Sequence, residues 1–255
     1  MEKTAQRNAR IERGQTNLIV PTSNREISYV HPSFGPNTYT EVGKQILEAG
    51  YKVPTGDLTV PLVHTAYLDD SVKNEPEFEN VREIMKNRWL WVFNRNIWIP
   101  EGVYVIPDEN ALGRNAPFSI EELEDKLSGA DTEFGVRFSQ DRKTRFAPKE
   151  SYGLGVHTPD NLARDGFVVA NYGVEGASQL AEVSRFFRNN PKTYGVEVAE
   201  GQNPEQRVAS LDSYWDLDVG GLYVYGDNWD GYRNCYAFGV SGVSEANDAA
   251  KMNLG

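Results

Sequence analysis

One cysteine and three histidines are all that 255 residues hold of the commonest soft metal ligands. The lone Cys235 excludes an intramolecular disulfide and any multi-thiolate zinc site. His31, His64 and His157 form no close pair, and HEXXH-type spacing is absent. Basic clusters are missing as well. With 26 Lys and Arg against 37 Asp and Glu, the net charge is −11, which repels phosphate backbones and points away from nucleic acid. No apolar run approaches membrane-spanning length, and the opening MEKTAQRNARIERG carries no stretch that would serve as a secretion signal. The sharpest absence is local. The 38 residues between Gln206 and Glu245 contain no Lys, Glu, Gln or Met, where the chain-wide frequency would place about six.

What is present belongs to an ordinary globular chain: 39% apolar, 25% charged and 11% aromatic residues, without an internal repeat. A polar arm precedes a short strand at Asn17–Val20. TYTEVGKQILEAG reads as a helix with Thr38 or Thr40 as its cap, a stripe of Val42, Ile46 and Leu47, and Gly50 as its stop. Pro61 suits the first turn of a second helix, and a third covers Phe78–Asn87. RWLWVFNRNIWIPEGVYVIP then reads as two strands turning at Pro100–Gly102. Ser119 and Glu122 form a capping box. The clearest helix lies between Val174 and Asn190, with a stripe of Ala177, Leu180, Ala181, Ser184 and Phe187, ended by Pro191.

Short strands follow at Tyr194–Val198, Arg207–Leu211, Leu222–Tyr225 and Tyr236–Val240. Helices early and strands late predict an α+β fold rather than a parallel α/β sheet. Residues 1–95 are expected to pack as a helical and strand portion into the same globular unit as 96–255.

Three stretches carry residues with chemical potential. Cys235 has no partner base nearby in sequence, which makes it a packed or surface residue rather than a nucleophile. YGLGVH at 152–157 has too few glycines for a phosphate loop and reads as a turn. Asp212, Asp216, Asp218, Asp227 and Asp230 are hard oxygen donors of the kind calcium prefers, but their spacing matches no EF-hand loop and no glutamate closes the set. The alternatives are solvated turn residues or ligand-facing side chains.

The stretch LYVYGDNWDGYRNCYAFGV, Leu222–Val240, raises the last possibility. Strand alternation puts Leu222 and Val224 on one face and Tyr223 and Tyr225 on the other, with Asp227, Asn228, Asp230 and Asn234 beside the tyrosines. Tyr236 falls on the same face as Phe238 and Val240, so a bulge or break is needed to separate them. Tyr and Asn suit adaptable binding surfaces, because they combine contact area with versatile hydrogen bonding. The missing residue types fit a genetic reading. A codon of the AAC or AAT kind with randomised adenines yields Asn, Asp, Tyr, Ser, Gly, Cys, Arg, Val and Leu, and never Lys, Glu, Gln, Met or Trp. Trp215 and Trp229 would then be fixed positions.

RVASLDSYW, LYVYGD and YAFGV together resemble the variable region of target proteins of diversity-generating retroelements, of the archaeal and viral kind. The resemblance implies a C-type lectin-like fold, of the formylglycine-generating-enzyme-like branch, whose C-terminal antiparallel strands display a variable surface over about 207–240. It implies Arg207, Val208, Leu222, Val224, Ala237, Phe238, Gly239 and Val240 as scaffold. The ligand-facing set would be Asp212, Tyr214, Asp216, Asp218, Tyr223, Tyr225, Asp227, Asn228, Asp230, Tyr232, Asn234 and Tyr236, with Cys235 as a possible addition. Gln202-Asn203-Pro204 and Asn228-Trp229-Asp230 only scramble the calcium-lectin motifs EPN or QPD and WND, and the cysteine pair of formylglycine-generating catalysis is absent. The expectation is a monomeric, non-enzymatic binder of a macromolecule, either a protein or a cell-surface component, with no cofactor and no metal. The alternative is a calcium-dependent glycan-binding lectin.

Overall fold

The computed structural model describes residues 8–12, 16–213, 215–216 and 219–245. Four short strands come first: β1 (Arg10–Glu12), β2 (Asn17–Pro21), β3 (Arg25–Val30) and β4 (Phe34–Asn37). Three helices follow, α1 (Tyr39–Glu48), α2 (Gly56–Leu68) and α3 (Pro76–Asn87), leading into the hairpin β5 (Trp89–Ile99) and β6 (Gly102–Pro107). After α4 (Ile120–Lys126) come β7 (Asp131–Glu133), β8 (Val136–Phe138), β9 (Arg145–Pro148) and β10 (Gly155–Val156). A short α5 (Pro159–Leu162) precedes the long α6 (Gly166–Ser184). The rest is strand: β11 (Lys192–Tyr194), β12 (Glu205–Asp212), β13 (Trp215–Asp216), β14 (Val219–Gly220), β15 (Tyr223–Asn228), β16 (Cys235–Ala237) and β17 (Val240–Glu245). The fold is mixed α+β.

The main sheet runs β10-β11-β15-β12-β5-β6-β9-β8-β7, and β16 joins it by pairing with β5 and β4. Its axis is β5, which is antiparallel to β12 on one side and to β6 on the other. Residues of β5 are buried on both sides of the strand, as a central strand with two covered faces requires. Leu90, Val92 and Trp98 join the large core with residues of α2, α3 and α6. Trp91 and Phe93 point the other way, into a second cluster with Tyr39, Val42 and Ile46 of α1, and Ile97 meets Leu123 and Leu127 near α4. A smaller sheet, β1-β2-β3-β17, ties the two ends of the chain together through the β3–β17 pairing. Residue 95, the boundary between the two portions expected to pack into one globular unit, lies inside β5.

Local signals account for most elements. Thr38 Oγ1 accepts from the Glu41 amide at 3.4 Å and opens α1; Ser119 Oγ accepts from the Glu122 amide at 3.3 Å and opens α4. The Ala177, Leu180, Ala181, Ser184 and Phe187 stripe is buried throughout.

Other boundaries moved. The helix expected at Val174–Asn190 begins earlier, at Gly166, where Asp165 caps the Val168 amide, and ends at Ser184. A break at Gly173, with φ 73° and ψ 170°, divides it, a backbone geometry that glycine supplies without strain. Pro61 sits inside α2, not in its first turn. An internal proline leaves the carbonyl four residues back without its amide partner. Here that carbonyl, Asp57 O, accepts from Arg25 Nη2 at 2.9 Å instead. The strand expected at Tyr194–Val198 is instead Lys192–Tyr194, and the early strands β1, β3 and β4 went unread.

Phe238 lies in the break between β16 and β17. It is 1% exposed, belongs to the large core and stacks on His31 at 6.4 Å between ring centroids. Phe238→Ala is expected to cost about 3–5 kcal/mol, the range for aromatic truncation in a core, read from the shift of an equilibrium urea-denaturation midpoint.

Candidate ligand-binding face

The strand β15 alternates as its sequence dictates. Val224 and Gly226 are buried, while Tyr223, Tyr225 and Asp227 are half-buried on the opposite face. Gly226 is required there, because an added Cβ would lie 2.4 Å from the Phe167 ring, and its carbonyl accepts from Trp98 Nε1 at 2.8 Å. The buried side thus anchors the strand and fixes the direction of the tyrosines.

Those tyrosines join an aromatic face assembled from distant parts of the chain. Parallel pairing of β11 with β15 sets Tyr194 beside Tyr225, and their rings stack at 4.7 Å with an 8° interplanar angle. Tyr194 also meets Tyr223 at 6.2 Å. Trp89, at the start of β5, contacts Tyr225 at 5.9 Å and packs edge-on against Tyr232 at 4.6 Å. Trp229 is 47% exposed and lies between two guanidinium groups, Arg114 at 3.9 Å and Arg207 at 4.2 Å from its ring centroid. Lys192 stands over Tyr194. No local pattern marks Tyr194, Trp89, Arg114 or Lys192 as members of this face, since tertiary contacts bring them there.

Within the expected ligand-facing set, the residues separate. Tyr223, Tyr225, Asp227, Tyr232, Asn234 and Tyr236 are half-buried or exposed. Asp212, Asn228 and Asp230 are held by the protein itself, which corrects the expectation that they stand outward. Asp212 is 2% exposed and accepts from the Tyr225 hydroxyl at 3.4 Å. Asn228 is buried at a register shift between β12 and β15, where its Nδ2 donates to Ser210 Oγ. Asp230 receives the Arg114 amide at 3.1 Å and Arg114 Nε at 3.2 Å, and its carbonyl accepts from the Tyr39 amide at 3.0 Å.

Cys235 is also buried, within the second core cluster, so it faces no ligand. Tyr214 and Asp218 lie outside the described residues, and only the backbone of Asp216, in β13, is described. Tyr236 is not separated from Phe238 and Val240: despite a register shift within β16 it packs, half-buried, against the large core that holds both, which corrects the expectation that it faces a ligand.

Electrostatics follow the burial. Desolvation, and then the charge of Asp212, pushes the Tyr225 phenol far above its ordinary value, so at neutral pH it stays a hydrogen-bond donor. The same two causes push the Cys235 thiol up, which removes the thiolate a nucleophile needs. Burial raises the Asp227 carboxyl, against a smaller opposing pull from Arg207. Among the described residues, no three His, Cys, Asp or Glu side chains come together in a group suited to a metal ion. No helix among them is long and apolar enough to cross a membrane. Comparison with known family models, curated proteins and solved structures returns no match.

The raised carboxyl of Asp227 has a definite sign. Because its folded pKa lies above its unfolded value, ionisation of Asp227 opposes folding above the folded pKa, and the effect disappears below the unfolded one. Asp227→Asn is therefore expected to raise the melting temperature at pH 7 and leave it unchanged near pH 3, in paired thermal melts of the two proteins.

Proposed function

We propose that this chain is a binding protein rather than an enzyme, built on a C-type lectin-like scaffold whose tyrosine-rich face is diversified between copies by a retroelement. The observation that carries the reading is the two-sidedness of β15. Val224 and Gly226 are buried against the core, while Tyr223, Tyr225 and Asp227 look outward onto a face shared with Tyr194, Trp89 and Tyr232. Such a strand tolerates change on one side only. Solvent-side substitutions away from special contacts cost little stability, and a rigid platform limits the entropy lost when a ligand is bound.

The absence of Lys, Glu, Gln and Met from 207–244 supports the genetic half of the reading. The ligand is a macromolecule, a protein or a cell-surface component, met by aromatic contact area and a few hydrogen-bonding groups. Stacked cation–aromatic contacts at Trp229 and Tyr194 form a fixed rim, since neither Trp229 nor Lys192 is within reach of the codon scheme described above.

The test is the gene. Sequencing the locus and its flanks across many members of the source population is expected to find a near-copy of the 207–240 coding stretch that differs at adenines. Substitutions should concentrate at Tyr223, Tyr225, Asp227, Tyr232 and Asn234, with few at the internally bonded Asp212, Asn228 and Asp230 and at Tyr236, which packs against the core. A locus without a template copy, with variation spread evenly along the chain, would remove the retroelement reading.

A further inference from the structure

The chain carries a second concave feature, none of whose lining residues belongs to the tyrosine face. A cavity of about 620 Å³ opens between the N-terminal end of α2, β5, β6 and the loop before β9. A smaller one, of about 240 Å³, adjoins it along α2 and α6. The two share Arg25, Asp57, Arg142 and Arg145. The larger volume falls within the range of small-molecule sites, about 300–1,000 Å³.

Local charge inverts the global one. Arg25, Lys52, Arg142, Lys143 and Arg145 line the larger cavity, against three acids, in a chain whose net charge is −11. The acids are already engaged. Asp57 pairs with Arg145, Glu109 with Lys143 at 2.7 Å, and Asp141 accepts from Ser139 Oγ at 2.6 Å and the Lys143 amide at 3.0 Å. Arg25 and Lys52, by contrast, form no ion pair among the described residues. Arg25 spends one nitrogen on the Asp57 carbonyl. The loop that presents Arg142 is braced: the Arg142 amide donates to Ser139 O at 2.7 Å and the Thr144 amide to Ser139 Oγ at 2.9 Å, holding Arg142 at φ 56°. A non-glycine residue kept in that left-handed region marks a backbone fixed by its surroundings.

The same walls hold a group of unmatched oxygens. Asp57 Oδ1, Asn171 Oδ1, Tyr172 Oη and Gln179 Oε1 are buried atoms without a hydrogen-bond partner. Asn171 is 0% and Tyr172 1% exposed. Asn171 and Asp57 line the larger cavity, and Tyr172, Gln179 and Asp57 the smaller. Leaving a buried polar group unsatisfied costs about 1–3 kcal/mol, so a cluster of them around one space calls for a partner that donates several hydrogen bonds. Lys52 is exposed and Arg25 half-buried, and neither is held by a carboxylate, so both cations can meet an anion in this space, whereas Arg142 is paired with Glu133 at 2.7 Å.

We propose that these adjoining cavities are a binding site for a small polyhydroxylated anion, a sugar phosphate or a sugar acid. The anionic group sits by Arg25 and Lys52, at the braced loop that carries Arg142. Its hydroxyls donate to Asp57, Asn171 and Gln179 once their buried oxygens turn toward the ligand, and the Tyr172 hydroxyl completes the set. Neither half of the ligand suffices alone, because a simple anion leaves the oxygens unmatched and a neutral sugar leaves the cations uncompensated.

Isothermal titration of the full chain with glucose 6-phosphate, glucose and inorganic phosphate tests this. Glucose 6-phosphate is expected to bind at least about tenfold more tightly than either of the others, a difference of about 1.4 kcal/mol. Lys52→Met and Gln179→Met, which remove no side-chain hydrogen bond among the described residues, should each weaken it about fivefold or more while keeping the ligand-free melting temperature. Tyr225→Ser should leave it unchanged. No saturable binding of glucose 6-phosphate, equal affinity for inorganic phosphate, full affinity in both Met variants, or loss of binding in Tyr225→Ser would each overturn the proposal. None of these outcomes bears on the tyrosine face except the last.

Discussion

The rest of the structure hangs on β5. Its eleven residues pair with β12 on one edge and β6 on the other, and its first residues also pair with β16. Buried from both sides, it sends Leu90, Val92 and Trp98 into the core under α2, α3 and α6, and Trp91 and Phe93 toward α1. Apolar burial at about 25 cal/mol per Å² makes such a strand the dominant stabilising element of a sheet. Because β12 is registered on β5, and β15 on β12, the direction of Tyr223 and Tyr225 is set at one remove by residues that never touch a ligand.

That arrangement separates stability from recognition. The buried side of β15 is fixed by close packing: Gly226 leaves space only for Phe167, and its carbonyl is held by Trp98. On the other side, Tyr225 is stacked on Tyr194 and its hydroxyl is tied to Asp212. This half-buried ring is more constrained than Tyr232 or Asn234, which are exposed. The face is therefore graded: its centre is braced by stacking and a buried carboxylate, while its edge toward the loop after β15 is open. A graded surface of this kind keeps its shape when Tyr232 or Asn234 changes, because the Tyr194–Tyr225 stack and the Asp212 contact do not depend on them.

The long α6 makes a second separation. Its break at Gly173 bends the chain beside Asp57, whose Oδ1 would lie 3.2 Å from a Cβ added at Gly173. The break places Asn171 and Tyr172 on one side and Gln179 on the other, all lining the polar cavities next to α2. Pro61, Arg25 and Asp57 meet at the same place, where the proline frees a carbonyl and the arginine takes it. The irregularities at Pro61 and Gly173 thus meet beside Asp57, which Arg25 reaches through its carbonyl and Arg145 through its carboxylate.

The sequence by itself determined the elements whose signals are local. Thr38 and Ser119 fixed helix starts through their hydroxyls, the Ala177–Phe187 stripe announced a buried face through its 3.6-residue period, and the Pro100–Gly102 turn set the β5–β6 hairpin. Alternation in Leu222–Tyr225 foretold which tyrosines look outward, since side chains of a strand point to opposite faces whatever the strand pairs with. It could not foretell that Asn228 and Asp230 turn into the protein, because a register shift and a contact with Arg114 decide that. Nor did it show Tyr194 beside Tyr225, Trp89 beside Tyr232, or Arg25 beside Asp57, which lie far apart in the chain. Period and capping are written in neighbouring residues, whereas contacts across the sheet depend on strand order and register, and those were decided only when the tertiary structure closed around β5.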